Sequence, residues 1–444
     1  MGSLLARPAP QAFHPGMKSV VSRRDFLRQA SATLSFPALG GFNLLRAGGS
    51  PASGIRIGII GCNNRGMDHI ASFLAVPNVE IACICDVDSR AVAKGIAAVA
   101  KKQTRAPKGV QDLRRVLDDP DVDAISIAMP DHWHAPATIL ACAAGKHVYV
   151  EKPGSHNAHE SGLMIAAARK HKRVVQMGNQ RRSWPWVTEA MAALHAGEIG
   201  KVFLARGWYA NHRPTIGRGK PAPVPDWLNY DLWQGPAPER AFCDNVIHYN
   251  WHWFWHWGTG ELGNNGVHAL DLARWGLGVD APQRVTCGGN RYHFHDDWET
   301  PDVTVATFDF GHCGIVWEGQ SCDPHGFENS FFGVNFHGER GAMLFGGDGC
   351  RVLDLNNKLV REIKGPRDDG AHFANFADAI RAGKKLNAEI EEGQKATMLC
   401  HLGNIAWRTG RTVDFDPAKG AIKNDRKAAA LCRRDYRKGW EPKV

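Results

Sequence analysis

The chain has 444 residues, 43% of them hydrophobic and 22% charged, enough to bury the cores of two soluble domains. The formal charge of +9 sits at the ends: residues 1–50 hold six Lys/Arg against one acid and residues 418–444 hold nine against three. A near-neutral middle argues against a nucleic-acid-binding face, and 11 cysteines with no C-x-x-C pair and no zinc-type Cys/His spacing argue against a metal site.

Residues 1–53 read as a signal and extension, with Met17 as an alternative start. Ser22-Arg23-Arg24-Asp25-Phe26-Leu27-Arg28 matches the twin-arginine export pattern. The weakly apolar run at 30–45 is broken by Pro37, Gly40 and Gly41, too short for a membrane span. Export of a folded chain implies a periplasmic or extracytoplasmic protein with mostly free thiols, any cofactor travelling with it.

Residues 54–180 alternate strands and helices. A strand at 55–60 meets the turn Gly61-Cys62-Asn63-Asn64-Arg65-Gly66, then a helix, then a strand at 79–85 ending in Asp86. A tight turn between strand and helix presents backbone N–H groups to a pyrophosphate, and an acid about 20–25 residues on accepts from ribose hydroxyls. Asn63 stands where the fingerprint has its middle glycine; Asn tolerates φ > 0, so the bend is expected to survive there. Asp86 repels a 2′-phosphate, which favours NAD over NADP, although Arg90 lies within reach.

A helix at 89–102, an apolar strand at 122–128, Pro130-Asp131-His132-Trp133-His134, a helix at 135–144 and a strand at 147–150 follow, ending in Glu151-Lys152-Pro153. Strand-Glu-Lys-Pro after these elements resembles the glucose–fructose oxidoreductase / inositol dehydrogenase (Gfo/Idh/MocA) family. The likeness extends through Gly178-Asn179-Gln180-Arg181-Arg182 and the run from Gly258 to Asp271, covering residues 54–415. It implies an N-terminal α/β Rossmann dinucleotide-binding domain at 54–180. A C-terminal α+β domain with an open, largely antiparallel sheet follows at 181–370, serving substrate binding and homo-oligomerisation. Helices at 371–415, stopped at Gly383 and Gly410, return to the Rossmann domain, and 416–444 reads as a solvated basic tail.

The resemblance gives Lys152 and His268 the catalytic positions, binding and deprotonating a substrate hydroxyl. The family has an acid four residues before the histidine; this chain has Asn264, an amide that cannot accept a proton at neutral pH. Glu261 or Asp271 is a substitute candidate. The expected cofactor contacts are Gly61, Asn63, Asn64, Arg65, Gly66, Asp86, Pro130, His132, His134, Glu151, Lys152 and Gln180. The expected substrate contacts are Lys152, Arg181, Trp208, Tyr209, His252, Trp255, Asn264 and His268. The run Tyr249-Asn250-Trp251-His252-Trp253-Phe254-Trp255-His256-Trp257 suits either one face of a strand beside a sugar ring or a core cluster. No metal is expected.

Three activities fit: NAD-dependent oxidation of a ring hydroxyl in a sugar, cyclitol or glycoside, glycosidase or 3-keto-glycoside lyase chemistry through transient oxidation, and non-catalytic sugar binding with structural NAD.

Overall fold

The computed structural model describes residues 54–444; the twin-arginine motif lies outside the described residues. Six parallel strands open the fold: β1 (Ile55–Ile60), β2 (Val79–Cys85), β3 (Lys108–Val110), β4 (Ala124–Ile127), β5 (His147–Val150) and β6 (Val175–Met177). They are ordered β3-β2-β1-β4-β5-β6. The isoleucines of β1 at 57, 59 and 60 are essentially fully buried, as a strand covered by helices on both faces requires. The order reverses between β1 and β4, and their carboxyl ends flank the crevice where doubly wound sheets bind ligands.

The second sheet is built from β7 (Val202–Ala210), β8 (Arg284–Asn290), β9 (Val303–Asp309), β10 (Gly314–Gln320), β11 (Phe332–Gly338), β12 (Gly341–Gly346), β13 (Gly349–Asp354), β14 (Leu359–Lys364), β15 (Val413–Asp416) and β16 (Ala421–Ile422). Its order is β14-β13-β12-β11-β7-β10-β9-β8-β15-β16. Every pairing is antiparallel except β7 with β10. The central strand β7 has no clean alternation in sequence; Gly207 sits in it because a Cβ there would come within 2.9 Å of Ala269 on the helix Val267–Leu277.

The helices Asp369–Ala382 and Ile390–Thr409 end at Gly383 and Gly410. Phe373 and Phe376, on the first of them, are fully buried in the nucleotide domain, with Phe373 stacked on Tyr149 at 4.7 Å between centroids. The two halves therefore share a core.

Two expectations about local structure change. The helix after β4 starts at Asp131 and runs to Ala143, because Pro130 takes an extended ψ of 154° and serves as its N-cap. The basic tail is solvated only in part, since several of its residues dock on the body. Tyr436 donates to Glu160 at 2.7 Å, Arg434 reaches the carbonyl of His256 at 3.1 Å, and Trp440 packs edge-on against Trp133 at 5.3 Å. Arg434 and Arg437 are bonded to the body, Arg437 to Asp231 and Glu239, while the lysines at 419, 423, 427 and 443 remain exposed. All 11 cysteines are free.

Candidate active site

A cleft of about 390 Å³ opens at the carboxyl ends of β1 and β4. Gly61, Asn63, Asn64 and Arg65 line one end of it. The positive φ of the turn falls on Gly61, at 86°, and Asn63 is not among the residues with positive φ. A Cβ on Gly61 would sit 2.5 Å from the Ala128 carbonyl oxygen, and one on Gly66 would sit 1.8 Å from that of Gly61. Gly66 is thus buried against the turn and permits its closeness without lining the cleft. No side chain caps the helix Arg65–Phe73, so its leading N–H groups remain available to a phosphate.

Asp86 lines the same cleft and is 8% exposed. Its Oδ2 accepts from the Cys62 N–H at 2.6 Å and its Oδ1 from the Asp88 N–H at 2.9 Å, leaving one acceptor site per oxygen for ribose hydroxyls. Burial raises its carboxyl above the ordinary value, and the two N–H donors partly offset that. Arg90 is held by Asp88, with Nε and Nη2 at 3.1 and 2.8 Å, and lies 3.4 Å over Trp227. It is therefore committed elsewhere.

At the other end, Glu151 is a hub. Its Oε1 accepts from Arg65 Nε at 2.8 Å and Gln180 Nε2 at 3.0 Å and meets His69 Nε2 at 3.0 Å; its Oε2 takes the Lys152 N–H at 3.1 Å. Burial alone would raise this carboxyl, but Arg65 and His69 outweigh it and hold it well below the carboxylate range. Lys152 Nζ donates to Asn264 twice, to Oδ1 and to the main-chain oxygen, both at 2.9 Å. Burial pulls the ammonium below its ordinary value, against the pull of Glu151 and Asp131. Asn264 lies in a π-helical turn, Leu262–Gly266, that runs into the helix bearing His268.

A family model described as "Oxidoreductase family, C-terminal alpha/beta domain" matches residues 209–442, and one described as "Oxidoreductase family, NAD-binding Rossmann fold" matches residues 55–179. The chain belongs to the Gfo/Idh/MocA oxidoreductase family. The N-terminal domain is an NAD-binding Rossmann fold, and the glycine turn, the uncapped helix and Asp86 fit that cofactor. The glycosyl hydrolase family 109 protein of Saccharopolyspora erythraea is 31% identical over 204 residues, 43% of this chain and 44% of that protein. The chain thus spans under half the length of that relative. Levoglucosan dehydrogenase of Pseudarthrobacter phenanthrenivorans is 26% identical over 318 residues, covering 66% of this chain and 73% of the relative. A solved levoglucosan dehydrogenase in complex with NADH and levoglucosan shares the fold, with a TM-score of 0.64 at 20% identity, over 82% of this chain and 99% of that one.

Within this Gfo/Idh/MocA site, Pro130, His134, Tyr209, His252 and Asn264 line the cleft as the sequence suggests. Others do not. His132 is fully buried with Nε2 at 2.9 Å from the Trp233 carbonyl, and Gln180 lines the adjoining cavity instead of the cleft, donating to Glu151. Trp208 points to the opposite face of β7 from Tyr209, since strand neighbours alternate, and donates to the Ser330 carbonyl at 2.8 Å. The aromatic run is not a strand. A 3₁₀ turn at Asn250–Trp253 puts Tyr249, Trp251 and His252 on the cleft, stacks Trp253 on Trp298 at 3.9 Å and turns Trp255 away toward Trp407. Arg181 and His268 line an adjoining cavity that shares Arg65, Glu151 and Lys152 with the cleft. Asp271 is spent on Arg182 at 2.8 Å, and Glu261 on Arg213 at 2.6 Å.

Residues that the sequence did not single out complete the wall. Asp131, fully buried beneath the cleft, accepts from Thr259 Oγ1 at 2.6 Å. Asn211, Asn265 and His248 also line the cleft. His248 meets Asp88 at 3.0 Å, and the backbone joins Ser89 to Trp227 and Asn229 to Val87, so the segment around 227–252 closes the adenosine end. The spacing of these residues along the chain carries no signal; only the crossing of that segment brings them in.

Proposed function

We propose that the protein is an exported, NAD-dependent oxidoreductase that oxidises a ring hydroxyl of a sugar, cyclitol or glycoside and keeps its NAD tightly held. The observation that carries this reading is the Lys152 ammonium, fixed by Asn264 at the junction of the nucleotide cleft and the second cavity. Bound NAD supplies the hydride acceptor for the carbinol carbon. Lys152 binds the hydroxyl oxygen and, in its neutral form, takes its proton at Nζ. His268, kept well below the usual imidazole value by burial and by the Lys152 and Arg181 cations, stays neutral and receives a hydrogen bond from the same ring. Asn264 orients Lys152 and accepts no proton. Tyr249, Trp251 and His252 offer aromatic and polar surface for the sugar.

Tight cofactor retention is supported by the 227–252 segment bonded across the nucleotide domain. Export rests on the twin-arginine motif. Assembly into homo-oligomers rests on the family resemblance.

A second reading has the same first step: transient oxidation followed by loss of an aglycone, as a glycosidase or 3-keto-glycoside lyase. Asn264 in place of the family's acid favours it, as does the relative named for glycosyl hydrolase family 109. The test is to incubate the protein with sugars and aryl glycosides while following reduced nicotinamide and aglycone together. Accumulating reduced nicotinamide supports the oxidoreductase, aglycone without it supports the second reading, and silence in both overturns each.

A further inference from the structure

The two arginines of the Gly178–Arg182 motif behave differently. Arg182 is buried and donates Nε and Nη2 to Asp271 at 2.8–3.0 Å, a bidentate pair. Arg181 lies between Phe332, 3.7 Å from the ring centre, and Trp184, at 4.9 Å. Among the described residues no carboxylate lies within salt-bridge distance of it, and its guanidinium donates no hydrogen bond. It faces a cavity of about 570 Å³ together with Lys152 and His268.

The acids of that cavity are already engaged. Glu151 accepts from Arg65, Gln180 and the Lys152 N–H, and Asp369 accepts from Trp184 Nε1 at 3.0 Å with Arg65 3.7 Å away. Arg367, on the rim, donates to Asp348 at 2.9 Å. Arg181 thus leaves a planar fork of donors at the cavity wall, and its aromatic neighbours cover part of it without neutralising it. Burial, with Arg367 nearby, lowers this guanidinium to about 10, against the pull of the more distant Asp369.

We propose that Arg181 is an anion subsite and that the substrate is an acidic sugar, a ring carrying an oxyanion (carboxylate or phosphate) at the end away from the hydroxyl held by Lys152. This deepens the proposed function and rests on it for the placement of the ring. A guanidinium pairs bidentately with either oxyanion and discriminates strongly against a neutral hydroxymethyl group at the same position.

The test is calorimetric titration of the full-length, NAD-loaded protein with glucuronate, galacturonate and glucose 6-phosphate, each against glucose or galactose, for the wild type, Arg181→Met and Arg181→Lys. The acidic sugars are expected to bind about 10- to 100-fold more tightly than their neutral partners. R181M abolishes that gap, R181K restores part of it, and thermal melting confirms that both fold. Uronate or phosphate preference identifies which oxyanion is meant. Equal binding of neutral and acidic sugars, or a gap that survives in R181M, overturns the subsite. Oxidation of neutral sugars with no acid preference sinks this inference and leaves the oxidoreductase. Arg181-dependent uronate binding with no nicotinamide reduction sustains the subsite and counts against the oxidation.

Discussion

Lys152 donates to two oxygens of one residue, the side-chain and main-chain carbonyls of Asn264, each at 2.9 Å. Both acceptors are neutral, so the ammonium gains hydrogen bonds without a counter-charge at the point of contact. Burial consequently dominates and lowers its pKa, with Glu151 and Asp131 acting in opposition. If neutral Lys152 is the base, activity rises with pH through that lowered value. Asn264→Asp places a carboxylate beside the ammonium, favours its charged form and moves the rising limb about 1–3 pH units upward. Rate profiles of the two proteins across pH check this; coincident limbs would remove Lys152 from the role of base.

Lys152→Met is expected to lower kcat/KM by about 100-fold or more while leaving NAD binding intact. Lys152→Arg does not rescue it, because a guanidinium neither deprotonates at neutral pH nor fits the space of a compact ammonium. Nucleotide titration beside steady-state kinetics separates the two effects.

Glu151 makes a prediction about stability. Its folded-state pKa lies below the ordinary 4.5, so it stabilises the fold above that pH and the contribution is lost as pH falls through the lowered value. Glu151→Gln removes the buried charge facing Arg65, which keeps Asp68 at 3.2 Å and Asp369 at 3.7 Å, and is expected to cost about 1–3 kcal/mol at neutral pH. Denaturant unfolding at several pH values reads both, and the variant's stability falls less steeply on acidification than that of the wild type.

Asp86 is expected to set the choice of cofactor without help from Arg90, which is tied to Asp88. Asp86→Ser is expected to weaken NAD binding about 10- to 100-fold and to narrow the preference over NADP. Parallel titrations with both nucleotides measure the ratio; an unchanged ratio would mean that another group reads the ribose.

The tail gives a fifth test. Removal of residues 433–444 exposes Trp133 and leaves Glu160 without Tyr436. A loss of about 2 kcal/mol or more is expected, read as a lower denaturation midpoint. A truncated protein of undiminished stability would return the tail to the status of a solvated appendage.

Much of the fold was legible from local pattern. The apolar strands at 55–60 and 147–150 and the helix at 390–409 carry their own hydrophobic period and stop residues, so their bounds follow from neighbours in the chain. The glycine turn and Asp86 were legible too, because each follows directly from the end of a strand, whereas Lys152 and Asn264 were picked out by the family resemblance. Trp208 and Trp255 were misread because residue type says nothing about which face a strand or turn presents. Asp131, His248 and Arg181 took their meaning from elements 50 or more positions away.

The amino-acid order by itself determined the nucleotide turn and the acid at the end of the second strand, since these need only short-range geometry, and the family likeness singled out the lysine at the strand end. Tertiary structure alone decided which aromatic rings face the cleft, that the basic tail docks, and that Arg182 finds a carboxylate while Arg181 does not. Charge pairing and burial are set by whatever packs opposite a side chain, and that partner is chosen by the fold.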